Sequence, residues 1–501
     1  MEMSNICRIE IDSTKKSSEA KVLENALSVD GHEVSIETSK VYTVEYDFSE
    51  GQFKQVAAAL HNPITEFPRI NEPADKKFDF VLELGLLPGV TDNVANTTTE
   101  IINDLFKIEI GRNKVFSSKL LFISGNVTKE NIKKIALGLT NVLIERHHIK
   151  SYTTYLEDGG MDKKIPTVHL KQSMGVLEID LDVGEEELIE LGKKGIFDPE
   201  TNARRGPLAL SIDYLKSIKE YYEKEGRKPT DIELESIAQT WSEHCKHTIF
   251  ASQIDDIEEG IFKRYIKKAT ENIRKDLGDK DFCLSVFKDN SGGIIFNEEF
   301  MITDKAETHN SPSALDPFGG AITGIVGVNR DTLGFGMGAL PIANKYGYCF
   351  GKPEDKKIIF RGEDKTSPAL APRRIMDGVV QGVNVGGNCS GIPTPTGFVF
   401  FDDNYKGKPL VFVGTIGLLS RKLPNGKSAE YKKARPGDNI VIIGGRVGKD
   451  GIHGATFSSE EMDGGSPATA VQIGDPITQK KFSDAIAKEA IGQCLYNSIT
   501  D

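Results

Sequence analysis

The chain has 501 residues, 38% of them hydrophobic and 27% charged, with 62 Lys plus Arg against 74 Asp plus Glu and a net charge of −12. That length implies two to four domains with ample core, and the acidic balance excludes a broad nucleic-acid surface, which is normally basic. No run of 18 apolar residues predicts a transmembrane helix, and Met1-Glu2-Met3-Ser4 lacks the basic and apolar regions of a secretory signal, so a cytoplasmic location without membrane contact is expected.

The first 150 residues read as a diverged repeat. Unit one is strand (Cys7–Ile11), helix (Ser18–Ser28), strand (Glu33–Glu37), strand (Val41–Phe48) and helix (Glu50–Leu60). Unit two is strand (Phe78–Leu84), helix (Asn93–Phe106), strand (Lys107–Ile110), strand (Lys114–Ile123) and helix (Lys129–Leu143). Alternation in Val81-Leu82-Glu83-Leu84 marks a half-buried strand, and Ile101, Ile102 and Leu105 share a helix face. Two β-α-β-β-α units in series predict a pseudo-symmetric pair whose sheets pack or join. Residues 150–205 read as a connection, with turn formers in Asp158–Lys164 and Asp198–Asn202 and a short helix at Glu185–Lys194. A helix over Ser211–Glu225 follows, broken by Gly226-Arg227-Lys228-Pro229. Thr230 with Glu233 is a capping-box pattern opening the next helix, before Leu234, Ile237 and Trp241.

From about residue 280 the pattern is α/β. Strands are expected at Phe282–Phe287, Gly293–Phe296, Phe300–Thr303, Phe398–Phe401 and Val411–Leu419, and a helix at Arg374–Val385. Asp289–Gly293 reads as a hairpin turn. After the turn Arg435–Asp438, Asn439–Ile443 reads as a buried strand, Ile477–Ala490 as a helix and Leu495–Thr500 as a strand. A final strand with no following element implies an unfinished domain, hence a fragment or a split gene product.

Three segments carry candidate chemistry. Trp241-Ser242-Glu243-His244-Cys245-Lys246-His247 ends the capped helix, and the three-residue spacing puts His244 and His247 on one helix face. A general base, a metal ligand, or a helix end whose cations complement the dipole all fit. Next, Lys305-Ala306-Glu307-Thr308-His309-Asn310 follows an apolar strand. In extended geometry 305, 307 and 309 share a face, so a cation, a carboxylate and an imidazole point into one cleft. Gly319, Gly320, Gly324 and Gly327 then lead to Arg330-Asp331. Carboxylates suit Mg²⁺, and glycines let backbone N–H groups approach phosphate oxygens. The third is Gly444–Gly454 with 455–459, a glycine turn able to bind phosphate through backbone donors, although no Gly-x-x-x-x-Gly-Lys-Ser/Thr is present. The six cysteines stand singly at 7, 245, 283, 349, 389 and 494, which disfavours zinc and redox chemistry.

Taken together, WSEHC at 241–245, KAETHN at 305–310, PFGGAxTGxxGxxRD at 317–331, GxxGKDGIHGAxFSS at 445–459 and QxGDP at 472–476 resemble phosphoribosylformylglycinamidine synthase over roughly residues 205–501. The N-terminal repeat, with Leu87-Pro88-Gly89-Val90, is similar to two copies of that system's small S-subunit. The resemblance implies an α/β (α+β) fold: a duplicated S-like domain (1–155), a linker and helical region (156–250), an aminoimidazole-ribonucleotide-synthetase-like sheet domain (251–425) and the start of a second α/β domain (426–501).

The implied reaction is ATP-dependent conversion of formylglycinamide ribonucleotide to the amidine through an iminophosphate. Ammonia would come from a separate glutaminase subunit, since no glutaminase nucleophile motif is present, and the C-terminal synthase half would be missing. By resemblance, His244 and His309 are catalytic, with His309 the proton acceptor. Lys305 and His247 contact ATP. Glu307, Asp331 and Asp501 hold Mg²⁺. Thr308, His309, Asn310, Ser311, Arg330 and Gln472 contact substrate. Ser311 stands where many relatives have a second histidine. The alternatives are a nucleotide-binding or assembly module without turnover, and another ATP-using enzyme of the same superfamily.

Overall fold

The computed structural model of the chain describes residues 6–29, 33–125, 127–166, 175–199, 202–244, 247–363, 365–445, 451–458 and 471–501. The chain divides into two compact units, Met1–Lys171 and Gln172–Asp501.

The first unit runs β1 (Ile6–Ser13), α1 (Ser18–Val29), β2 (Val34–Glu45), α2 (Glu50–Leu60), β3 (Glu66–Ile70), β4 (Phe80–Leu86), α3 (Asn93–Phe106), β5 (Val115–Gly125), α4 (Lys129–Leu139), β6 (Glu145–Ser151) and α5 (Tyr152–Glu157). The duplication is present, with each half ordered β-α-β-α-β rather than β-α-β-β-α. The strands expected at Glu33–Glu37 and Val41–Phe48 are one strand, because Thr38, Ser39 and Lys40 continue the ladder to β5 without a break. Residues Lys107–Ile110 form no strand: Lys107 takes a left-handed conformation that closes α3. Each second helix is followed instead by a third strand.

All six strands join one antiparallel sheet in the order β3-β1-β2-β5-β4-β6. The β2–β5 pair lies at its centre, so the two halves mirror each other. On one face the cores interleave. Helices α2 and α3 contribute Phe53, Val56, Ala57, Ala95 and Ile102 to a cluster over Ile9, Ile11 and Val44. Helices α1 and α4 contribute Ala20, Leu27, Ile132 and Ile135 to a cluster over Ile36, Leu82 and Leu121. Each cluster draws on both halves, so neither half closes a core alone.

The opposite face is partly polar although buried. Asp12 accepts from Arg69 Nε at 2.6 Å, Lys76 Nζ at 2.9 Å and Ser39 Oγ at 2.5 Å. Burial would raise its carboxyl, but the bonds to Arg69 and Ser39 and the charges of Arg69 and Lys76 hold it below the ordinary value. A depressed folded pKa contributes stability that is present above the unfolded value and lost as pH falls through the folded one. Breaking a buried ion pair from one side costs about 3 kcal/mol, so Asp12→Asn should destabilise this unit by that order at pH 7. The difference from wild type should shrink as pH falls below about 4. Hydrogen exchange of β1 amides measures both, and equal protection in the two proteins at pH 7 would refute the assignment.

The second unit continues with α6 (Glu185–Lys194), β7 (Phe197–Asp198), β8 (Ala203–Arg204), α7 (Ile212–Glu225), α8 (Asp231–Trp241), α9 (Lys268–Leu277), β9 (Cys283–Ser285), β10 (Gly292–Ile295), β11 (Phe300–Thr308), α10 (Asn310–Leu315), α11 (Pro317–Gly334), β12 (Leu340–Phe350), α12 (Pro372–Gly386), β13 (Thr396–Phe401), β14 (Leu410–Ser420), α13 (Gly454–Ser458) and α14 (Pro476–Asp484). The capping box at Thr230 forms as expected, with Glu233 bonding back to the Thr230 amide. The main sheet has the order β13-β12-β14-β11-β10-β9. Its pairs are antiparallel except β12 with β13. Helices α11 and α12 cover one face, burying Ile322, Ile325, Val326, Ile375, Val379 and Val383 against Tyr348, Phe350, Val411 and Val413.

Three expectations fail here. Gly319, Gly320, Gly324 and Gly327, expected to let backbone N–H groups approach phosphate oxygens, lie instead within a largely buried 18-residue helix, Pro317–Gly334. Small residues let it pack closely, and a Cβ on Gly320 would lie 2.5 Å from the Pro312 carbonyl carbon. Asn439–Ile443 is neither buried nor a strand: Ile440 and Ile442 are 97% and 90% exposed, and no described strand pairs with it. Leu495–Thr500 likewise forms no strand. Apolar composition alone does not make a strand where the backbone has no ladder partner. Among the described residues no helix is long and apolar enough to cross a membrane.

Candidate functional site

Strand β11 carries Lys305 and Glu307 on the sheet face that α11 covers, since their partners on β14 are the buried Thr415 and Val413. The pairing continues one step past the strand, where the His309 amide donates to the Val411 carbonyl at 2.8 Å. Asn310 Oδ1 then accepts from the Val411 amide at 2.8 Å. These two bonds fix the chain as it turns into α10. Asp316 caps α11 by accepting from the Gly319 amide at 3.0 Å, with Pro317 in the first turn. The helix returns Arg330 and Asp331 to the strand.

Lys305 Nζ consequently lies 3.0 Å from Glu307 Oε1 and 3.4 Å from Asp331 Oδ2. Burial lowers the Lys305 ammonium, but the hydrogen bond and charge of Glu307 and the charge of Asp331 outweigh it and raise its pKa. The Asp331 carboxyl is also raised, chiefly by burial and further by the nearby Asp501 charge, against the lowering effect of Lys305. Asp501 Oδ1 accepts from Arg330 Nε at 2.7 Å. Glu307, Asp331 and Asp501 thus belong to one acidic group threaded by Lys305 and Arg330.

His309 Nδ1 lies 2.5 Å from the Gly320 carbonyl oxygen. A carbonyl only accepts, so Nδ1 carries the proton and Nε2 keeps its lone pair. Burial pushes this imidazole down to about 4, the Gly320 carbonyl and Glu307 oppose that shift, and the charge of His244 adds to it. Two consequences follow: His309 is neutral at pH 7, and His244 stands near it. Gly324 makes room, because a Cβ there would come 3.0 Å from His309 Cβ.

The remaining candidates sort by position. His244 lies beyond α8, which ends at Trp241 with Ser242 as its cap, so His244 and His247 do not share a helix face. Residues 245 and 246 lie outside the described set. His247 is exposed, beside Glu243 at 3.5 Å and the Phe250 ring; no bond or ion pair joins it to the acidic group. Thr308 is exposed at the end of β11, while Ser311 is buried in α10. Gln472 is brought to α11 by its backbone: Thr323 Oγ1 donates to the Gln472 carbonyl at 2.5 Å, and the Gly474 amide donates to Thr323 Oγ1 at 2.8 Å. Of the glycine turn, 446–450 and 459 lie outside the described residues.

Residues to which the sequence reading gave no site role also join the site. Asn290 Nδ2 donates to Asp331 Oδ1 at 3.2 Å, and Asn290 Oδ1 accepts from Thr500 Oγ1 at 3.0 Å. Lys432 Nζ is paired with Asp289 at 2.5 Å and donates to the Gly334 carbonyl. Gln479 Oε1 lies 3.4 Å from Arg330 Nη1. Nothing in the local pattern near 290, 432 or 479 signals this, because their partners are far away in the chain.

Among the described residues no group of three or more His, Cys, Asp or Glu forms a ready metal cage. The donors present are carboxylate and amide oxygens, the type that suits Mg²⁺ rather than a soft metal. The raising of the Asp331 carboxyl by the Asp501 charge is the electrostatic situation a divalent cation relieves.

Comparison with known proteins bears on the same segments. The family model for the formylglycinamide ribonucleotide amidotransferase linker domain matches residues 200–247, and that for the N-terminal domain of AIR synthase related proteins matches residues 288–419. Phosphoribosylformylglycinamidine synthase subunit PurL of Thermoplasma volcanium is 35% identical over 307 residues, 61% of this chain and 35% of the relative. The same subunit of Picrophilus torridus is 38% identical over 281 residues, 56% of this chain and 34% of the relative. The chain therefore spans about one third of the length of these curated relatives. Among solved structures, Thermotoga maritima PurL complexed with FGAR is 29% identical, with 56% of this chain and 38% of that chain covered and a TM-score of 0.40.

Proposed function

We propose, on the premise that this chain belongs over its matched residues to the phosphoribosylformylglycinamidine synthase (PurL) family, that it provides part of an amidine-forming ligase. On this reading residues 1–155 are the S-like domain, 156–250 the linker, 251–425 the first sheet domain and 426–501 the start of the next domain. The observation that carries it is the convergence of Lys305, Glu307, Asp331 and His309 on one face of β11.

The amide oxygen of formylglycinamide ribonucleotide attacks the γ-phosphorus of ATP, and ADP leaves. Ammonia then adds to the iminophosphate carbon, and phosphate departs with the C–O bond. His309 Nε2, unprotonated, takes the proton lost as nitrogen adds. Lys305 faces the transferring phosphoryl, and His244 stands across from His309. Arg330 offers a forked donor to the substrate phosphate, beside Thr308, Asn310, Ser311 and Gln472. His247 contacts ATP from its exposed position. Glu307, Asp331 and Asp501 would hold Mg²⁺, which neutralises phosphate charge when bound. A separate glutaminase subunit supplies ammonia, and the location is cytoplasmic.

Phosphate release with ATP, Mg²⁺, formylglycinamide ribonucleotide and ammonium tests this. Release that needs both substrate and ammonium supports the ligase. ATP hydrolysis indifferent to them would sink it. The exposed apolar residues Ile440 and Ile442 favour a second reading, a nucleotide-binding module that turns over only with a further polypeptide; nucleotide binding without release is its signature. Under either reading Asp331→Asn should weaken Mg²⁺ binding about tenfold or more. Titrating Mg²⁺ in the presence of ATP measures this, and an unchanged affinity would remove Asp331 from the metal set.

A further inference from the structure

The second half of the N-terminal unit leaves open a place that the first half fills. The same turn enters the third strand in both halves. The Asn62 amide donates to Glu66 Oε2 at 2.9 Å, and the Asn141 amide to Glu145 Oε2 at 2.7 Å. The Ile64 amide donates to Asn62 Oδ1, and the Leu143 amide to Asn141 Oδ1. Glu66 therefore corresponds to Glu145, and Arg69 to His148. Cross-strand register extends the match. Glu10 faces Arg69 as Glu83 faces His148, and Asp12 faces Phe67 as Gly85 faces Arg146.

In the first half ion pairs link the polar ladder. Arg69 Nη2 lies 2.7 Å from Glu10 Oε2, Arg69 Nε lies 2.6 Å from Asp12 Oδ2, and Arg8 Nε reaches Glu10 Oε1 at 2.6 Å. In the second half, Arg8 Nη1 and Ser118 Oγ both donate to Glu83 Oε1, at 3.0 and 2.6 Å. Both bonds go to Oε1, and Glu83, 5% exposed, lines a cavity. A shorter imidazole stands where Arg69 stood, and Gly85 where Asp12 stood. The space left is a cavity of about 230 Å³ lined by Glu83, Arg146, His148, Asp162 and Lys164.

Arg146 lies over Gly85, with Nη2 3.2 Å from the position a Cβ would take. Its Nε is buried without a partner, and it forms no ion pair among the described residues. Asp162 and Lys164 are already paired, at 3.1 Å, and Asp162 also binds Lys150 at 2.7 Å. One carboxylate oxygen and one guanidinium thus face the same cavity, unpaired with each other. Buried polar groups left unmatched are costly. The first half sets a nitrogen cation, Arg69, beside the equivalent glutamate. The guanidinium calls for a carboxylate, which it binds through two parallel bonds.

We propose that this cavity binds a small free α-amino acid, its ammonium on Glu83 Oε2 and its carboxylate on Arg146. Bridging both groups with one molecule satisfies the pair without moving the backbone.

Calorimetric titration of the full chain with glycine, L-serine, L-aspartate and L-glutamine tests it, with propionate and ethylamine as single-charge controls. At least one amino acid should bind, and both controls should bind at least about tenfold more weakly. Arg146→Gln should weaken binding about tenfold or more. His148→Arg should abolish binding and raise the thermal midpoint, because its guanidinium can reach Glu83 as Arg69 reaches Glu10. No binding by any of the four amino acids at millimolar concentration would overturn the proposal. So would propionate binding as tightly as an amino acid, or unchanged binding in His148→Arg. None of these readouts depends on the ligase reading.

Discussion

His309→Asn should lower substrate- and ammonium-dependent phosphate release by a factor of roughly 10² to 10⁴, the usual contribution of a positioned general base, while leaving ATP binding within about twofold. The asparagine amide can still donate towards the Gly320 carbonyl, so the turn into α10 keeps its tether, but no lone pair replaces Nε2. The pH profile adds a second check. With the imidazole pushed down to about 4, His309 stays unprotonated through the range in which an ordinary histidine titrates. Activity should therefore show no acid limb from this group between pH 6 and 8, and any such limb should persist in a variant that retains measurable turnover. A fall in ATP affinity that matches the fall in rate would show that His309 binds rather than reacts. A limb between pH 6 and 8 that vanishes in the asparagine variant would show that the residue is not held neutral.

Gly382→Val should destabilise the second unit by at least about 3 kcal/mol, at the upper end of overpacking effects. The reason lies in the α11–α12 crossing. A Cβ on Gly382 would sit 2.5 Å from the Phe318 carbonyl oxygen and 2.9 Å from Ala321 Cβ. The first is backbone and cannot rotate away. One turn on either side, Gly378 and Gly386 meet Pro317 Cβ at 2.7 Å and Ile325 Cγ2 at 2.4 Å in the same way, so α12 cannot slide to relieve the clash. The helix pushed aside is the one that presents Arg330 and Asp331 to Lys305, so metal and nucleotide affinity should fall with stability. Val380, 48% exposed on the same helix, is the control, and Val380→Ala should change stability by no more than about 0.5 kcal/mol. Urea unfolding measures both. A loss below about 1 kcal/mol in Gly382→Val would mean that the crossing is loosely packed.

Local chemistry made many elements legible. The Thr230 capping box, the period of α3 and α7, and the alternation of β4 are set by neighbours a few residues apart, which is the range over which caps and amphipathic faces act. The cluster 305–309 was legible for the same reason, because strand geometry puts alternate residues on one face. The glycines of 317–334 misled because composition does not distinguish a backbone that must approach phosphate from one that must approach another helix. The apolar run 439–443 misled because burial depends on a partner, and no described strand provides one.

The sequence by itself determined the duplicated N-terminal pattern, the capped helices and the chemical character of the Lys-Glu-His strand. Only the tertiary structure decided that Arg330 and Asp331 return to that strand, that Asn290 and Lys432 attend them, and that Glu83 lacks the arginine its counterpart has. Those facts depend on which distant segments share a sheet or a helix crossing, and contacts between such segments follow from packing rather than from local propensity.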